Sequence, residues 1–555
     1  MASIKEPKEK PSIDSTNTTT SRSAGSTEDL PIEEWKPTKE LYVIFLTLCI
    51  ITLAAALDAT SISVALPIIA EKLHGSAVEA FWAGTSFLLC STVFQPAYGS
   101  FSNIFGRKPL LLVAIVIFTA GSLAGALANN FTVLLIGRSL QGVGAGGIIA
   151  LTEIILTDII PLRLRGQYFG IYSSMWALGS VCGPILGGGF AQNVSWRWIL
   201  YINLPFCVIA FVFVPIFLKL NQKIDTVWVK LARVDWIGTV MFIASVTAIL
   251  IPISWGGVMY PWDHWRVLVP LVVGFASLTG FVLWEIYGAQ EPLIALDIFM
   301  NRTAAVTFFG TVMHGIVLWS MLYYLPLYFE AVKEMGPIMA GVAIFPQTFT
   351  VAPASIVVGI LTTVTGRFRW AVWTGWVLMT TGMGLMYLLD VDTSTVKWVF
   401  LNLVAGLGAG MLFPSMASAV QASASNENMA IAVAVFSFLR TFGQSFGVAI
   451  GGVIFQNALI DEFSKYPGLD AVAGDYAKDA VALVQLIKRM PDSPTRQALM
   501  QSYADSLKMV WLAMAVFSAA GLIASVATEG LSLDRVLTSD QGIRNKKKPV
   551  TVVDA

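Results

Sequence analysis

Charged and metal-binding residues are scarce in this sequence of 555 residues. Only 13% of the residues are charged, and the chain has three histidines and four cysteines. No Gly-Lys pair occurs, so the chain lacks the phosphate-binding loop that an ATP-driven pump requires. No cluster of histidine, cysteine and carboxylate suggests a metal site, and no Ser/His/Asp arrangement suggests an enzyme. The formal net charge is zero, and nothing indicates a nucleic-acid partner or a cofactor.

Apolar residues dominate instead, at 56% of the chain with a mean hydropathy of +0.71. A helix needs roughly 20 mostly apolar residues to cross a lipid bilayer. Fourteen segments qualify, and all four cysteines fall inside them. The predicted spans are 41–66, 79–102, 109–128, 131–157, 166–191, 197–219, 235–255, 266–287, 303–329, 337–362, 370–389, 397–421, 429–458 and 506–528.

The basic residues predict the orientation of these spans. With both termini in the cytoplasm, the short inner loops carry more lysine and arginine than the outer loops, as the positive-inside rule requires. Residues 1–40 are rich in Ser, Thr, Lys and Glu and predict a disordered cytosolic tail, and 531–555 predict a second one. The hydrophilic segment 460–505 is then extracellular.

The chain also repeats itself. Four short patterns recur in the same order about 260 residues later, which chance does not readily explain. The first match is Leu66-Pro67 with Leu325-Pro326, and the second is Gly99 and Gly106-Arg107 with Gly359 and Gly366-Arg367. The other two are Gly142, Gly144 and Gly146 with Gly406, Gly408 and Gly410, and Gly179, Gly183, Gly187 and Gly188 with Gly443, Gly447, Gly451 and Gly452.

This repeat predicts the fold class, an all-α polytopic membrane protein made of two six-helix bundles. The bundles comprise 41–219 and 288–530, and 220–287 hold a linker and an inserted hairpin of spans 7 and 8. Two related bundles that face each other form a cavity near the middle of the bilayer, which rocking opens to alternate sides. The duplication favours a transporter over a receptor or a membrane enzyme.

The first inner loop contains glycines around a tight turn, followed by two cations. It runs from Gly99 through Asn103 to Gly106, Arg107 and Lys108. This loop resembles the signature loop of the major facilitator superfamily and is expected to gate the rocking motion. The family usually has an aspartate at the position of Asn103. We therefore expect weaker interactions among the charged side chains of this loop than the family usually has. The alternative is that the loop is only a cationic anchor.

A buried arginine and a buried aspartate are predicted at equal depth. Arg138 lies in span 4, and Asp58 lies in span 1 in a segment that resembles the first-span motif of fourteen-span drug:proton antiporters. At about 1.5 Å per residue, both lie roughly 10–12 Å below the outer surface. Because a buried arginine normally has a partner, we expect Arg138 to pair with Asp58. The resemblance to proton antiporters implies that Asp58 couples transport to protons. The alternative is a static ion pair between spans 1 and 4.

Span 5 carries glycines four residues apart, around a proline. The motif comprises Gly179, Gly183, Pro184, Gly187 and Gly188. Such a stripe allows another helix to approach closely, and the proline frees a backbone carbonyl and bends the helix. The segment resembles the motif that separates antiporters from symporters within the superfamily. Ordinary tight packing is the alternative.

Further ionisable residues lie in other spans. His314 in span 9 and Arg440 in span 13 are each about 16 Å from the inner surface and could take part in proton coupling. The alternative for His314 is a neutral ring that bonds a neighbouring helix. Glu153, Asp158 and Glu285 lie near inner ends of spans and are expected to be interfacial anchors.

Several aromatic and amide side chains lie on spans expected to face the cavity. Broad rings with a few polar groups suit large compounds that are uncharged or weakly cationic. Rings that face lipid are the alternative. The candidate cavity residues are Gln141, Tyr172, Trp176, Trp319, Tyr323, Phe345 and Gln347.

The segments around Tyr323 and Phe345 resemble the fungal toxin and multidrug efflux branch of the superfamily. This resemblance implies export of small organic compounds in exchange for protons, by a monomer in the lipid bilayer of the plasma membrane. A proton-coupled importer of a nutrient or metal chelate would share the fold. The span 5 motif argues against the importer.

Overall fold

The computed structural model describes residues 36–75, 77–221, 226–257, 259–466, 480–535 and 541–542. Most of the predicted tails, 1–35 and 543–555, lie outside these residues. From Lys39 onward the chain forms one compact unit. The secondary structure of the described ranges is helical, apart from isolated bridge residues at Leu220, Gly256 and Tyr260.

Within the described ranges, fourteen long helices occupy the positions of the predicted spans and take the numbers of those spans. The second, α2, runs from Ala77 to Val93 and continues after Phe94 as Gln95–Phe105. The others are α1 Lys39–Ser61, α3 Arg107–Ala126, α4 Phe131–Ile159, α5 Leu162–Asn193, α6 Asn203–Phe217, α7 Trp236–Trp255, α8 Trp265–Tyr287, α9 Arg302–Ala331, α10 Phe345–Thr365, α11 Arg369–Met386, α12 Thr395–Ser423, α13 Met429–Phe463 and α14 Pro494–Ser525.

Twelve helices among the described residues are long and apolar enough to cross a membrane. The exceptions are α2 and α11. Helix α2 breaks at Phe94, where Pro96 removes a backbone donor from the next turn. Helix α11 is long enough, with 18 residues, but it is not apolar enough, because Arg369 and several threonines and glycines lie among them. The count of fourteen crossings therefore stays a prediction, while the fold class itself is confirmed.

The predicted extracellular segment 460–505 is shorter than the sequence suggested. Helix α13 continues to Phe463, and α14 begins at Pro494, whereas the prediction placed it at 506. Ser493 caps α14 by accepting a hydrogen bond from the Arg496 amide at 3.2 Å, and proline at the first position suits a helix start. Residues 467–479 lie outside the described part of the loop.

The first copy of the glycine repeat packs α4 against two neighbours. Gly142 and Gly146 lie against the backbone carbonyls of Phe87 and Ser91 in α2, so a methyl group on either glycine would collide with α2. Gly144 points the other way, to α3. Small residues on both sides allow α4 to pass between two backbones.

The second copy packs α12 in the same manner. Gly406 and Gly410 lie against the carbonyls of Gln347 and Val351 in α10, and Gly408 lies against α11. Helix α12 therefore packs between α10 and α11 in the way that α4 packs between α2 and α3. The repeat read from the sequence corresponds to two structurally related halves.

The inserted hairpin of α7 and α8 lies beside one helix of each half. Trp255 contacts Trp82 of α2 with ring centroids 5.9 Å apart, and Phe242 contacts Phe438 of α13 at 5.2 Å. The hairpin therefore borders the seam between the halves.

The two halves meet at the helix ends that are predicted to face the cytoplasm, which are called the inner ends. A Cβ added to Gly166 at the start of α5 would lie 3.0 Å from the Gly359 carbonyl of α10. On the other side of the seam, a Cβ added to Gly99 of α2 would lie 2.5 Å from Cβ of Ala434 in α13. Glycine at these positions lets the halves close on the side predicted to face the cytoplasm.

Candidate functional site

A cavity lies between the halves, on the outer side of these contacts. Its wall on α5 begins after Gly166, and its wall on α10 precedes Gly359. Its free volume is about 70 Å³, counted as the space open to the centre of a water molecule. The lining residues are Ser173, Trp176, Ala177, Ser180, His314, Leu318, Trp319, Leu322, Gln347, Thr348, Val351, Ser355, Ala409, Phe413, Arg440 and Gln444.

The cavity wall is mainly apolar with a few polar groups. Trp176 and Trp319 supply broad rings, and Gln347 and Gln444 supply amides. Of the described lining residues, only Arg440 carries a permanent charge. A lining of this kind suits an organic molecule held by apolar contact and oriented by few polar groups.

Arg440 of the C-terminal half faces Glu153 of the N-terminal half. Its Nη2 lies 3.6 Å from Glu153 Oε1, and the side chains are 8% and 0% exposed. The guanidinium also stacks over the Phe413 ring, with its carbon 4.7 Å from the centroid. Neither carboxylate oxygen of Glu153 has a hydrogen bond of normal geometry in the described part of the chain, although the hydroxyls of Tyr172 and Ser437 approach it as weaker donors.

All three acids expected to be interfacial anchors are buried, so that prediction is wrong. Glu153 is completely buried, and Asp158 and Glu285 are 7% and 6% exposed. Asp158 pairs with Arg107, and Glu285 accepts a hydrogen bond from the Ile294 amide at 3.2 Å. Each inner helix end is covered by protein, which the distance along one helix does not reveal.

His314 lines the cavity and bonds a neighbouring helix. Its Nε2 lies 3.2 Å from the Ala409 carbonyl of α12. Because a carbonyl only accepts, Nε2 carries the proton. This arrangement fits the hydrogen-bonded histidine that the sequence left as the alternative.

Asp58 and Arg138 form a buried ion pair within the N-terminal half. Arg138 Nη1 lies 2.5 Å from Asp58 Oδ2, and both side chains are 0% exposed. Gln141 and Asn203 donate to Asp58 Oδ1 at 3.0 and 2.7 Å. Ser122 Oγ accepts a further hydrogen bond from Gln141 at 2.8 Å. The depth argument from the sequence identified the correct partners.

Two more groups hold Arg138 in place. Its Nε donates to the Ala83 carbonyl at 2.9 Å, and its guanidinium lies over Phe87 with 4.5 Å to the centroid. Sequence reasoning missed Asn203 as a member of this cluster. The signal was available, because Asn203 is a polar residue at the start of the apolar helix α6.

Three predicted cavity residues lie on the wall. They are Trp176, Trp319 and Gln347. The structure places the others elsewhere. Gln141 belongs to the Asp58 cluster, Tyr172 is completely buried, Tyr323 is half exposed, and Phe345 packs edge-on to Phe349.

The predicted gating loop is held by Arg107. Its Nε bonds Asp158 at 2.9 Å, and its Nη1 donates to Ser102 Oγ at 2.6 Å and Asn103 Oδ1 at 2.7 Å. Gly106 has a φ of 96°, which disfavours other residues. Asn103 therefore helps to orient the arginine although it carries no charge, and Asp158 supplies the carboxylate.

The same loop contacts both its own half and the C-terminal segment. Lys108 Nζ donates to the Pro215 carbonyl of α6 at 2.8 Å. The Arg107 amide donates to Oε1 of Gln541 at 3.2 Å, and Gln541 donates to the Ser102 carbonyl at 3.2 Å. The loop and the described end of the chain thus form one inner layer.

We expect Arg107→Ala to slow transport roughly tenfold with little change in substrate affinity. The variant removes a charge-assisted bond worth about 1.5–3 kcal/mol from a contact remote from the cavity, so it changes gating and not binding. Initial rates and equilibrium binding on purified protein would measure the two effects, with Arg107→Lys as the charge-retaining control. A large affinity loss at unchanged turnover would contradict this role.

The span 5 motif packs α5 onto α1. A side chain on Gly183 would collide with Thr60, and the flanking glycines lie equally close to α1. Thr60 Oγ1 donates to the Gly179 carbonyl at 2.9 Å, which ties the two backbones together. Gly188 differs, because an added Cβ would be 4.0 Å from its nearest neighbour, Val64. Pro184 lies inside the helix between these contacts.

Known proteins are similar to this chain in sequence. The chain is 54% identical over 516 residues to the MFS transporter L2 of a Phoma species, covering 93% of this chain and 86% of that one. It is 37% identical over 524 residues to the efflux pump FUS6 of Gibberella moniliformis, covering 93% and 92%.

Among solved structures, the proton:xylose symporter XylE superposes with a TM-score of 0.53 at 14% identity, covering 83% of this chain and 98% of that one. This likeness concerns the fold alone. Residues 48–448 match the Major Facilitator Superfamily over most of the helical region. The chain is therefore an integral membrane transporter that belongs to the major facilitator superfamily.

Proposed function

We propose that this transporter exports small organic compounds, such as toxins, drugs or secondary metabolites, in exchange for protons. The observation that carries the proposal is the cavity between the halves, which has an apolar, tryptophan-rich wall and closed inner ends. Alternating access follows if the inner contacts at Gly99 and Gly166 separate while the outer side closes. The transporter would act as a monomer in the plasma membrane with both termini in the cytoplasm.

The direction of transport is supported by similarity. FUS6 is named an efflux pump, and the motif around Pro184 resembles that of antiporters. The fold by itself does not set the direction, since XylE is a symporter. Import therefore remains the alternative to be tested.

Proton coupling is proposed to use Asp58. Its carboxylate neutralises a buried arginine, so proton binding would leave Arg138 without a counter-ion and favour a rearrangement of α1 and α4. In the other half, His314 and Arg440 are proposed to respond to the same cycle, because they line the cavity.

Reconstituted vesicles would test exchange and direction together. Vesicles would receive a mixture of fungal metabolites under opposite pH gradients, and mass spectrometry would identify the compounds that become concentrated inside. Antiport predicts accumulation only with an acidic lumen. Accumulation only with an acidic exterior would indicate symport and reject the proposal. Vesicles without protein and vesicles without a gradient are the controls.

A further inference from the structure

Glu153 and Arg440 form a charge pair between the two halves of the transporter. Glu153 belongs to α4 and Arg440 to α13, which pack against each other along the seam. The pair therefore differs from Asp58 and Arg138, which both lie within the N-terminal half. Any motion that separates α4 from α13 changes the distance between its charges.

The two buried carboxylates differ in how well they are satisfied. Asp58 accepts hydrogen bonds from Arg138, Gln141 and Asn203. Glu153 has one ion pair at 3.6 Å and, beyond it, only weak contacts from the hydroxyls of Tyr172 and Ser437. An ionised carboxylate that is buried and poorly bonded is costly, and a proton removes most of that cost. Glu153 is thus the less well stabilised of the two buried carboxylates.

Few other ionisable groups face Glu153. From α13 it faces Arg440 and the neutral hydroxyl of Ser437, and from α5 it faces the phenol of Tyr172. Cys49 of α1 interacts with Tyr172, and His314 of α9 interacts with Arg440. Arg440 is accordingly the fixed charge that balances Glu153.

Only one of the two side chains of the Glu153–Arg440 pair lines the cavity. Arg440 lines the cavity, whereas Glu153 lies behind it and is completely buried. With Glu153 ionised, the pair is neutral as a whole. With Glu153 protonated, a full positive charge remains at the cavity wall.

We propose that Glu153 is a second proton-binding site, and that its protonation turns the cavity from one that accepts cationic compounds into one that expels them. The inference rests on the proposed proton antiport and names its substrate class as uncharged to cationic. A proton and a cation then bind at the expense of each other, as exchange requires. An anion would instead bind together with the proton.

A pair of ions with equal shape and opposite charge tests this selectivity. Tetraphenylphosphonium and tetraphenylborate binding to the purified full-length protein would be measured by equilibrium dialysis across a pH series. On acidification, phosphonium affinity should fall by about 30-fold, the factor expected for a unit charge roughly 8 Å away at an effective dielectric constant of 20. Borate affinity should rise.

The variant Glu153→Gln should bind phosphonium weakly and borate tightly at every pH, while Glu153→Asp should retain the pH dependence. An unchanged pH dependence in Glu153→Gln would overturn the proposal. So would equal responses of the two ions, or binding of neither ion at any pH.

Infrared difference spectroscopy separates proton binding from transport. Acidification of the wild-type protein should produce a carbonyl band of a protonated carboxyl group that is lost in Glu153→Gln, shifted in Glu153→Asp and retained in Asp58→Asn. If the Glu153-dependent band appears but vesicles show no exchange, the proton-binding site stands and the proposed antiport is rejected. If exchange occurs but acidification gives the same carboxyl bands in the wild type and in Glu153→Gln, the Glu153 site is rejected and the antiport stands.

Discussion

Asp58→Asn should abolish gradient-driven export while substrate binding stays measurable. Asparagine retains the shape of aspartate but cannot balance the charge of Arg138, whose side chain is fully buried. Removing one member of a buried pair costs about 3–5 kcal/mol, which corresponds to a rate loss of at least roughly 100-fold if it opposes one step of the cycle. The cluster lies apart from the cavity, so binding should be little affected.

The neutral double variant Asp58→Asn with Arg138→Gln separates the two interpretations of this pair. If the pair is static, removing both charges should restore both folding and transport, since no unpaired charge remains. If Asp58 exchanges protons, the double variant should fold and exchange substrate for substrate, but should not respond to a pH gradient.

Accumulation by Asp58→Asn at the wild-type rate would reject Asp58 as the coupling group. The measurement is substrate accumulation in vesicles with and without the gradient, at matched amounts of folded protein. Thermal unfolding in detergent provides the folding control for each variant.

Sequence predicted the buried pair because two separate cues agreed. Asp58 and Arg138 are opposite charges at equal depth in apolar helices, and burial requires such charges to find partners. The internal repeat was visible for a similar reason. Glycines at close helix contacts, such as Gly142 and Gly406, are needed wherever two backbones approach, so both halves retain them.

The sequence did not predict which side chains are buried or face the cavity. These properties depend on the rotation of each helix about its axis and on contacts with helices that are distant in sequence. Glu153 lies near the inner end of α4, which suggested an exposed anchor, yet 94% of the most apolar stretch of that helix is buried inside the protein. The cover comes partly from α13, far away in sequence. Tyr323 and Trp319 are one turn apart in α9, but only Trp319 lines the cavity.

Gly183→Leu should make vesicles leak protons without substrate. Gly183 lies so close to α1 that even a Cβ would collide with Thr60, and a leucine must force the helices apart. Separation would also break the Thr60 bond to Gly179 and open a path along the Asp58 side of α1. Proton flux into reconstituted vesicles, followed with a trapped pH dye, measures the leak.

The chain offers two matched controls for this substitution. Gly189 lies on the same helix and is exposed, and a Cβ there would meet nothing within 4 Å, so Gly189→Leu should not leak. Gly447 is the counterpart of Gly183 in the second half and lies against the Ile316 carbonyl. Val448 follows it where Pro184 follows Gly183, so the second half has no proline bend at this site.

The comparison with Gly447→Leu decides whether the first-half motif has a special role. If the motif around Pro184 forms a contact that keeps protons from crossing, Gly183→Leu should leak at least several-fold more than Gly447→Leu. Both substitutions separate equivalent helices. Equal leaks would mean that any loosened bundle passes protons. A folded Gly183→Leu variant that exports nothing and leaks no more than the wild type would reduce the motif to ordinary packing, because the forced separation of α1 and α5 would then have opened no path.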